Sequence, residues 1–465
     1  MNEKTKNVDE EKRGFGMAIF VLLSFLLMKP AYGQSDLISL LELAENNYPL
    51  IAARQAEAEA AQASVALEKS TLLPSLDAAY QANYSTYNNI TGMSYPGQLL
   101  PISGPPTTEN FNNPVPGSAV SLLLKWAPLT FGQRTASVEY NRKLYEKQLA
   151  GLEDEVLRLK FRVAFIYLEI ASTKELIEVY RKNIERNEFN LTQIHSLVAA
   201  GLRPGVDSLK FRGELSKART ELYQLENLLE TQKLELRELL VSDELRDINL
   251  NSFFVENLPD KPADPSGLSG NPALRMAQYE LEANQARLTQ ISRSWTPKLE
   301  LWGTTYARGS GILHDGTVDK AEGWSFSRYN YGVGLQLAFP ILDIPKVKLQ
   351  TNRQEAIVRS SESYLRQTQI ALSKEENIAL NNLETSLRVA GEVPVEYEAA
   401  ESAFRALQTR YTAGLTDYSD LIQAQYDLLR AEAGLKNTWI SSWKSLLKLA
   451  VIRGDVNLFL NQIQN

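Results

Sequence analysis

Apolar side chains fall on every second position in four short stretches of the chain. From LPSLDAAYQANY, residues 73–84, into a strand expected over about 75–86, Leu76, Ala78, Tyr80, Ala82 and Tyr84 alternate with Asp77, Ala79, Gln81, Asn83 and Ser85. About residues 119–129, Val120, Leu122, Leu124 and Trp126 stand opposite Ser121, Leu123 and Lys125. About residues 329–340, Tyr329, Tyr331, Val333, Leu335, Leu337 and Phe339 alternate with Asn330, Gly332, Gly334, Gln336 and Ala338. The fourth stretch, about 298–308, is the least regular. A period of two puts successive side chains on opposite faces of a strand, so each stretch has one greasy and one wet side.

The rest of the chain repeats in threes and fours. From Leu149 through Val156, Val163, Ile170, Ile177, Ile184 and Leu191 to Val198, apolar or small residues follow a heptad seam, interrupted by Asn187. A weaker seam runs through Leu365, Leu372, Ala379, Leu383, Val393, Phe404 and Tyr411. Phe161, Phe165 and Leu168 lie off the first seam, so that helix is expected to pack on two sides. A helix over about 133–199 spans about 100 Å at 1.5 Å per residue. The shorter helices at about 49–72 and 206–241 sum to roughly 90 Å, so two of them laid end to end match one long one. Pro394 falls inside the second long helix and is expected to bend it.

The chain also repeats itself. NYPLIAARQAEAEAAQA from Asn47 aligns with GNPALRMAQYELEANQA from Gly270, placing Pro49 on Pro272; at the same offset Pro74 falls on Pro297. AGLRPGVDSL at Ala200 matches AGLTDYSDLI at Ala413, so Gly201 meets Gly414 and Asp207 meets Asp420. Each copy reads helix, strand, loop, strand, very long helix, tight turn, helix. The first prolines sit where a missing N–H is free, and the second pair ends the helix. The expected division is 34–240 and 271–454 for the copies, 241–270 for a linker and 455–465 for a tail.

Alternation alone fits a half-buried strand of a soluble sheet as well as a tilted strand between lipid and a watery lumen. The long loops carry Pro96, Pro101, Pro105, Pro106, Pro114 and Pro116, or Gly309, Gly311, Gly316 and Gly323, while the helical ends connect directly. That asymmetry favours a membrane barrel with long outer loops. Four strands cannot close a barrel and open edges fail in lipid, so the wall must be shared; two, three or four copies would give eight, twelve or sixteen strands.

Composition narrows the chemistry. Net charge is -7 with both signs interspersed, which argues against nucleic acid. There are 2 histidines and 0 cysteines, so disulfides, thiol nucleophiles, cysteine zinc sites and an N-terminal lipid anchor through cysteine are excluded. Neither a metal nor a cofactor is expected, and no catalytic motif stands in a suitable context. Lys12 and Arg13 precede an apolar run from Phe15 to Met28, followed by Ala31-Tyr32-Gly33; the run is too short to span a bilayer, and residues 1–33 are expected to be a secretory signal.

The duplicated plan, the Asn-Pro starts, the switches from proline to strand and the motif TRYTAGLTDYSDLIQAQ at 409–425 resemble the TolC-like family of outer-membrane export channels, over nearly the whole mature chain. The resemblance implies a mainly α fold with a membrane β part: a homotrimer with a 12-stranded β-barrel in outer-membrane lipid, continued by a 12-helix periplasmic α-barrel. It implies a conduit without catalytic activity, serving an efflux or type I secretion system with a periplasmic adaptor and an inner-membrane pump. By position, Asp207 and Asp420 match acidic residues at the closed periplasmic tip, and Tyr411 a tyrosine that constrains it. Gln423 stands where the family has a further aspartate and Thr416 where it has an arginine of the latch, so the acidic ring is thinner and the closing bonds must differ.

Arg203 and Arg410 are candidates to pair with Asp207, Asp417 or Asp420. Both Asp207 and Asp420 could equally cap the helices that follow the turns. The competing function is an exported coiled-coil adaptor or scaffold without a pore, which would need only one helical hairpin.

Overall fold

The computed structural model describes residues 37–88, 107–242, 253–262 and 267–463. The signal segment, the part of the first loop holding Pro96 to Pro106, residues 243–252 and 263–266 of the linker and the last two residues lie outside the described residues.

In chain order the helices and strands are α1 (Leu37–Asn47), α2 (Pro49–Ser70), β1 (Ser75–Ser85), β2 (Val115–Leu129), α3 (Gln133–Ala199), α4 (Gly205–Leu240), α5 (Phe253–Glu256), α6 (Pro272–Ser292), β3 (Lys298–Ser310), β4 (Arg328–Ala338), α7 (Ile344–Thr412), α8 (Tyr418–Arg453) and α9 (Asn457–Leu460). The chain forms two compact units, one of Met1–Ala52, Glu153–Asn271 and Leu372–Asn465, the other of Ala53–Leu152 and Pro272–Ala371.

The second unit holds the sheet, an antiparallel meander in the order β1-β2-β3-β4. Its register brings the alternating positions onto common faces: Ala78 opposes Leu122, Leu122 opposes Thr305 and Thr305 opposes Tyr331. One face therefore carries Leu76, Tyr80, Val120, Leu122, Leu124, Leu301, Leu335 and Leu337. The other carries Asp77, Gln81, Asn83, Ser121, Lys125, Glu300, Arg308, Asn330 and Gln336. A register shift between Trp126 and Leu129 surrounds Pro128, which has no N–H to donate to the ladder. Tyr331 and Val333 are 86% and 85% exposed, so among the described residues nothing covers the apolar face at these positions of β4. Among the described residues β1 and β4 each pair on one side only.

The first unit is helical. On α3 the seam residues Leu159, Val163, Ile170, Ile177 and Ile194 are buried, and so is a second stripe of Ala164, Tyr167, Leu168 and Ala171. That matches packing on two sides, the second apolar face being the reason. Tyr167, Phe254, Trp443 and Phe459 form an aromatic cluster, in which the Trp443 indole N–H donates to the Asn257 carbonyl at 2.9 Å. Asp260 and Gln462 exchange two hydrogen bonds, tying the described part of the linker to the C-terminal residues.

Helix α7 runs through Pro394 without interruption. The two Asn-Pro starts have matching anchors: Asn47 donates to the Leu240 carbonyl at 3.5 Å and Asn271 to the Ile452 carbonyl at 2.8 Å, each near the C-terminus of a short helix. Gly454 (φ 76°) ends α8, and Arg453 beside it is buried against Glu376 at 2.8 Å.

Candidate site at the hairpin tips

Both long helices end the same way. Gly201 and Gly414 adopt φ of 72° and 77°, a left-handed conformation that costs a side-chain-bearing residue about 1–2 kcal/mol. The following N–H then reaches back around the last turn, from Leu202 to the Leu197 carbonyl and from Leu415 to the Arg410 carbonyl, each at 2.9 Å. Beneath the turns lies a core of Ile194, Phe211, Phe404, Tyr411, Leu421 and Leu428. Phe211 sets its ring edge-on to Tyr411 and Tyr418, with centroids 6.1 and 4.9 Å away.

The two turns are tied together by Arg203. Its guanidinium lies 4.5 Å from the centre of the Tyr411 ring and donates to the carbonyls of Tyr411 at 2.9 Å and Thr416 at 3.0 Å. Tyr411 is buried, and its hydroxyl donates to Asp207 Oδ2 across 3.4 Å, a long bond to a carboxylate that is itself buried. Burial first, and then the charge of Asp207, push the Tyr411 phenol up to about 12, with Arg203 pulling the other way. Burial and Glu214 likewise raise Tyr418.

The remaining candidates are apart from this knot. Asp420 is exposed and accepts from the Thr416 hydroxyl at 2.6 Å. Gln423 donates to Asp427 at 3.0 Å. Asp417 holds the N-cap position of α8 and Pro204 that of α4, neither with a side-chain cap bond; Asp207 and Asp420 lie in the first turns. The expected pairing of Arg203 or Arg410 with an aspartate is not what forms. Arg203 goes instead to carbonyls that α7 and its turn leave without an intrahelical partner, where a cation also meets the negative end of the helix dipole. Arg410 is exposed and forms no ion pair among the described residues.

Above the core a string of side-chain amides was not anticipated. Gln408 donates to Asn190 at 3.1 Å, Asn190 to Gln425 at 3.2 Å and Gln425 to Asn183 at 3.0 Å, linking α7, α3 and α8. Next to it Arg186 grips Glu432 with two bonds of 3.0 and 2.6 Å. A signal was available: Asn183, Asn187 and Asn190 follow the three-four spacing of the apolar seam, and polar residues at core positions need partners. Asn187 Oδ1 is buried without one.

An open sheet with one apolar face, carried in one chain with long helices that meet in hairpin turns, is the arrangement of TolC-like outer-membrane channels. The family model described as outer membrane efflux protein matches residues 40–241 and 266–450, and the chain belongs to that family. It is a TolC-like efflux channel of the outer membrane with a large periplasmic helical part, and its relatives are channels rather than enzymes. This sets aside the reading as a poreless adaptor. Among similar proteins is the pyoverdine export outer membrane protein OpmQ of Pseudomonas aeruginosa, 25% identical over 439 residues, 92% of this chain and 85% of that one. The structure of CusC superposes with a TM-score of 0.77 at 14% identity, covering 91% of this chain and 93% of that one. The structure of VceC from Vibrio cholerae gives 0.76 at 15%, covering 90% and 96%. No described helix is long and apolar enough to cross a membrane.

Proposed function

We propose that three copies of this chain assemble so that β1 of one pairs with β4 of the next, giving one barrel of twelve strands, three times the four of each sheet. The observation that carries this reading is the sheet itself. Its apolar face is exposed at β4 and, among the described residues, its two edge strands each pair on one side only; in lipid every exposed backbone N–H and C=O would cost several kcal/mol. Association that closes the ring removes both edges at once. The two halves, 34–240 and 271–454, then act as equivalent halves of each wall segment, which the two-part family match supports.

Conduction is passive in this reading, and the hairpin tips are the gate. The knot of Arg203, Tyr411 and Asp207 holds the two turns of one chain together. Because Thr416 offers its carbonyl to Arg203, the arginine supplied by the first turn takes over the constraint that the family places in the second. A periplasmic adaptor that binds the tips more tightly when they are apart shifts the equilibrium toward conduction by that difference in affinity, and an inner-membrane pump supplies the cargo.

The test is the oligomer and its leak. The detergent-extracted full chain is expected to run as a heat-modifiable species with three times the chain mass in native mass spectrometry. In planar bilayers it is expected to conduct weakly until the tip bonds are removed. A monomer that stays soluble without detergent would sink the assembly. Unchanged conductance of the double variant Asp207→Ala, Asp420→Ala would sink the gate.

A further inference from the structure

The loop joining β3 to β4, residues 311–327, lies down on the sheet instead of standing beyond it. Ser118 of β2 is partnered with Gly309 of β3, and Pro116 of β2 with Tyr84 of β1; all four belong to the apolar face. Gly311 donates its N–H to the Pro116 carbonyl at 2.8 Å, and the buried Ser118 hydroxyl donates to the Gly323 carbonyl at 2.8 Å. Two close approaches need glycine: a Cβ on Gly309 would strike the Ser325 carbonyl, and one on Gly323 the Pro116 carbonyl. Phe326 then meets Tyr80 of β1 edge-on, with ring centres 6.4 Å apart. The loop therefore crosses β3 and β2 toward β1 over the apolar face, at the end of the sheet opposite the helical connections.

The backbone of this loop is closed on itself. Leu313 donates to the Thr317 carbonyl at 2.9 Å, Asp319 to Gly311 at 3.0 Å and Trp324 to Ala321 at 3.1 Å. The Asp315 and Asp319 carboxylates accept from the N–H groups of Thr317 and Ala321 at 3.0 and 2.9 Å. A chain seated beside hydrocarbon needs such closure, because lipid offers no replacement partner. Outward the loop shows Leu313, Val318, Trp324 and Phe326, the last two 54% and 47% exposed. The charged side chains Asp315, Asp319 and Lys320 precede the segment 321–327 that lies on the strands. That segment carries only Glu322, which accepts from the Ser325 hydroxyl at 2.7 Å. Because the loop lies over β2 and β3, a copy joined edge to edge at β1 or β4 leaves it uncovered.

We propose that loop 311–327 is a foot seated in the membrane. It lies against the outer wall of the barrel near the extracellular rim, with Trp324 and Phe326 at the boundary between the headgroups and acyl chains of the outer leaflet. An indole suits that boundary, with an apolar ring and one N–H for water or a headgroup. The proposal rests on the assembly proposed above, which turns the apolar face to lipid, and adds that a loop takes hold of the bilayer as well as the strands. Fixed to β2 and β3, the foot sets how deep the wall sits.

Tryptophan emission from the full chain in lipid nanodiscs tests this, with phospholipids brominated on the acyl chains close to the headgroup as one quencher and aqueous iodide as the other. The Trp324 component is the difference between wild type and Trp324→Phe. Trp126, on the apolar face near the opposite end of β2, is read in the same way through Trp126→Phe and reports the wall alone. Both components are expected to lose most of their emission to the brominated lipid, and the Trp324 component to lose little to iodide. A Trp324 component quenched by iodide and spared by the lipid, while Trp126 is quenched by the lipid, would overturn the foot and leave the wall. A Trp324 component spared by both quenchers would also overturn it, since another protein surface would then cover the loop. If the lipid spares both tryptophans, the assembly falls and the foot with it.

Discussion

The two hairpin turns share a backbone and differ in what their side chains reach. Position by position, Arg203 corresponds to Thr416 and Asp207 to Asp420. In the first turn the arginine stretches across to two carbonyls of the second, and the aspartate is buried against Tyr411. In the second turn the threonine is too short to return the contact, and its hydroxyl closes a local bond to an exposed aspartate. Duplication has thus preserved the turn while the cross-link runs in one direction, from the first copy to the second. A gate built from three such chains would be held by one kind of bond repeated, rather than by two.

The comparison breaks most readily at Arg203. Arg203→Ala removes two charge-assisted hydrogen bonds and a ring contact, about 2–4 kcal/mol together. Thr416→Ala removes one exposed bond. Single-channel recording should show the larger leak for Arg203→Ala by at least about tenfold; equal leaks would mean that the turns are not asymmetric in function. Next come the aspartates. Asp207→Ala strands a buried Tyr411 hydroxyl at a cost of about 1–3 kcal/mol, whereas Asp420→Ala at an exposed position should cost within about 0.5 kcal/mol. Chemical unfolding of the two variants reads that difference.

The smallest effect is alkaline. The folded-state value of Tyr411 is raised from 10.0 to about 12. Its contribution is therefore complete below pH 10.0 and is lost as pH climbs through the folded value, when phenolate would face Asp207. The thermal midpoint of the wild-type protein should fall more steeply than that of Tyr411→Phe over that window. Parallel profiles would remove Tyr411 from the knot.

Much of the fold was legible because its signals are local. Pro49, Pro74, Pro272 and Pro297 punctuate helices through their missing N–H, and the alternation at Leu76, Ala78 and Tyr80 needs only the geometry of a strand. The site was legible by halves. Tyr411 and Asp207, each placed at the tip by position, meet there in a contact that was not expected, and Arg203 was expected to seek a carboxylate and found carbonyls. The Tyr411 and Thr416 carbonyls and the Tyr411 ring take this cation together, and a linear sequence does not tell that they lie nearer to it than any carboxylate. The amide string left a trace in Asn183, Asn187 and Asn190, but Gln408 and Gln425, each within an ordinary helical pattern, gave none.

By itself the sequence determined the order of the long helices and the strands and which positions of each are apolar, since these depend on residues a few places apart; it missed that β2 begins at Val115, four residues before the expected start, and that Pro116 and Gly309 lie within strands rather than loops. It also carried the expectation, taken up in the proposed assembly, that four strands look outside the chain for neighbours. Only the tertiary structure decided that the first copy's aspartate is buried and the second's is not, and that one arginine serves both turns. Those outcomes depend on distances of a few ångströms between segments some two hundred residues apart, set by how the helices pack against one another.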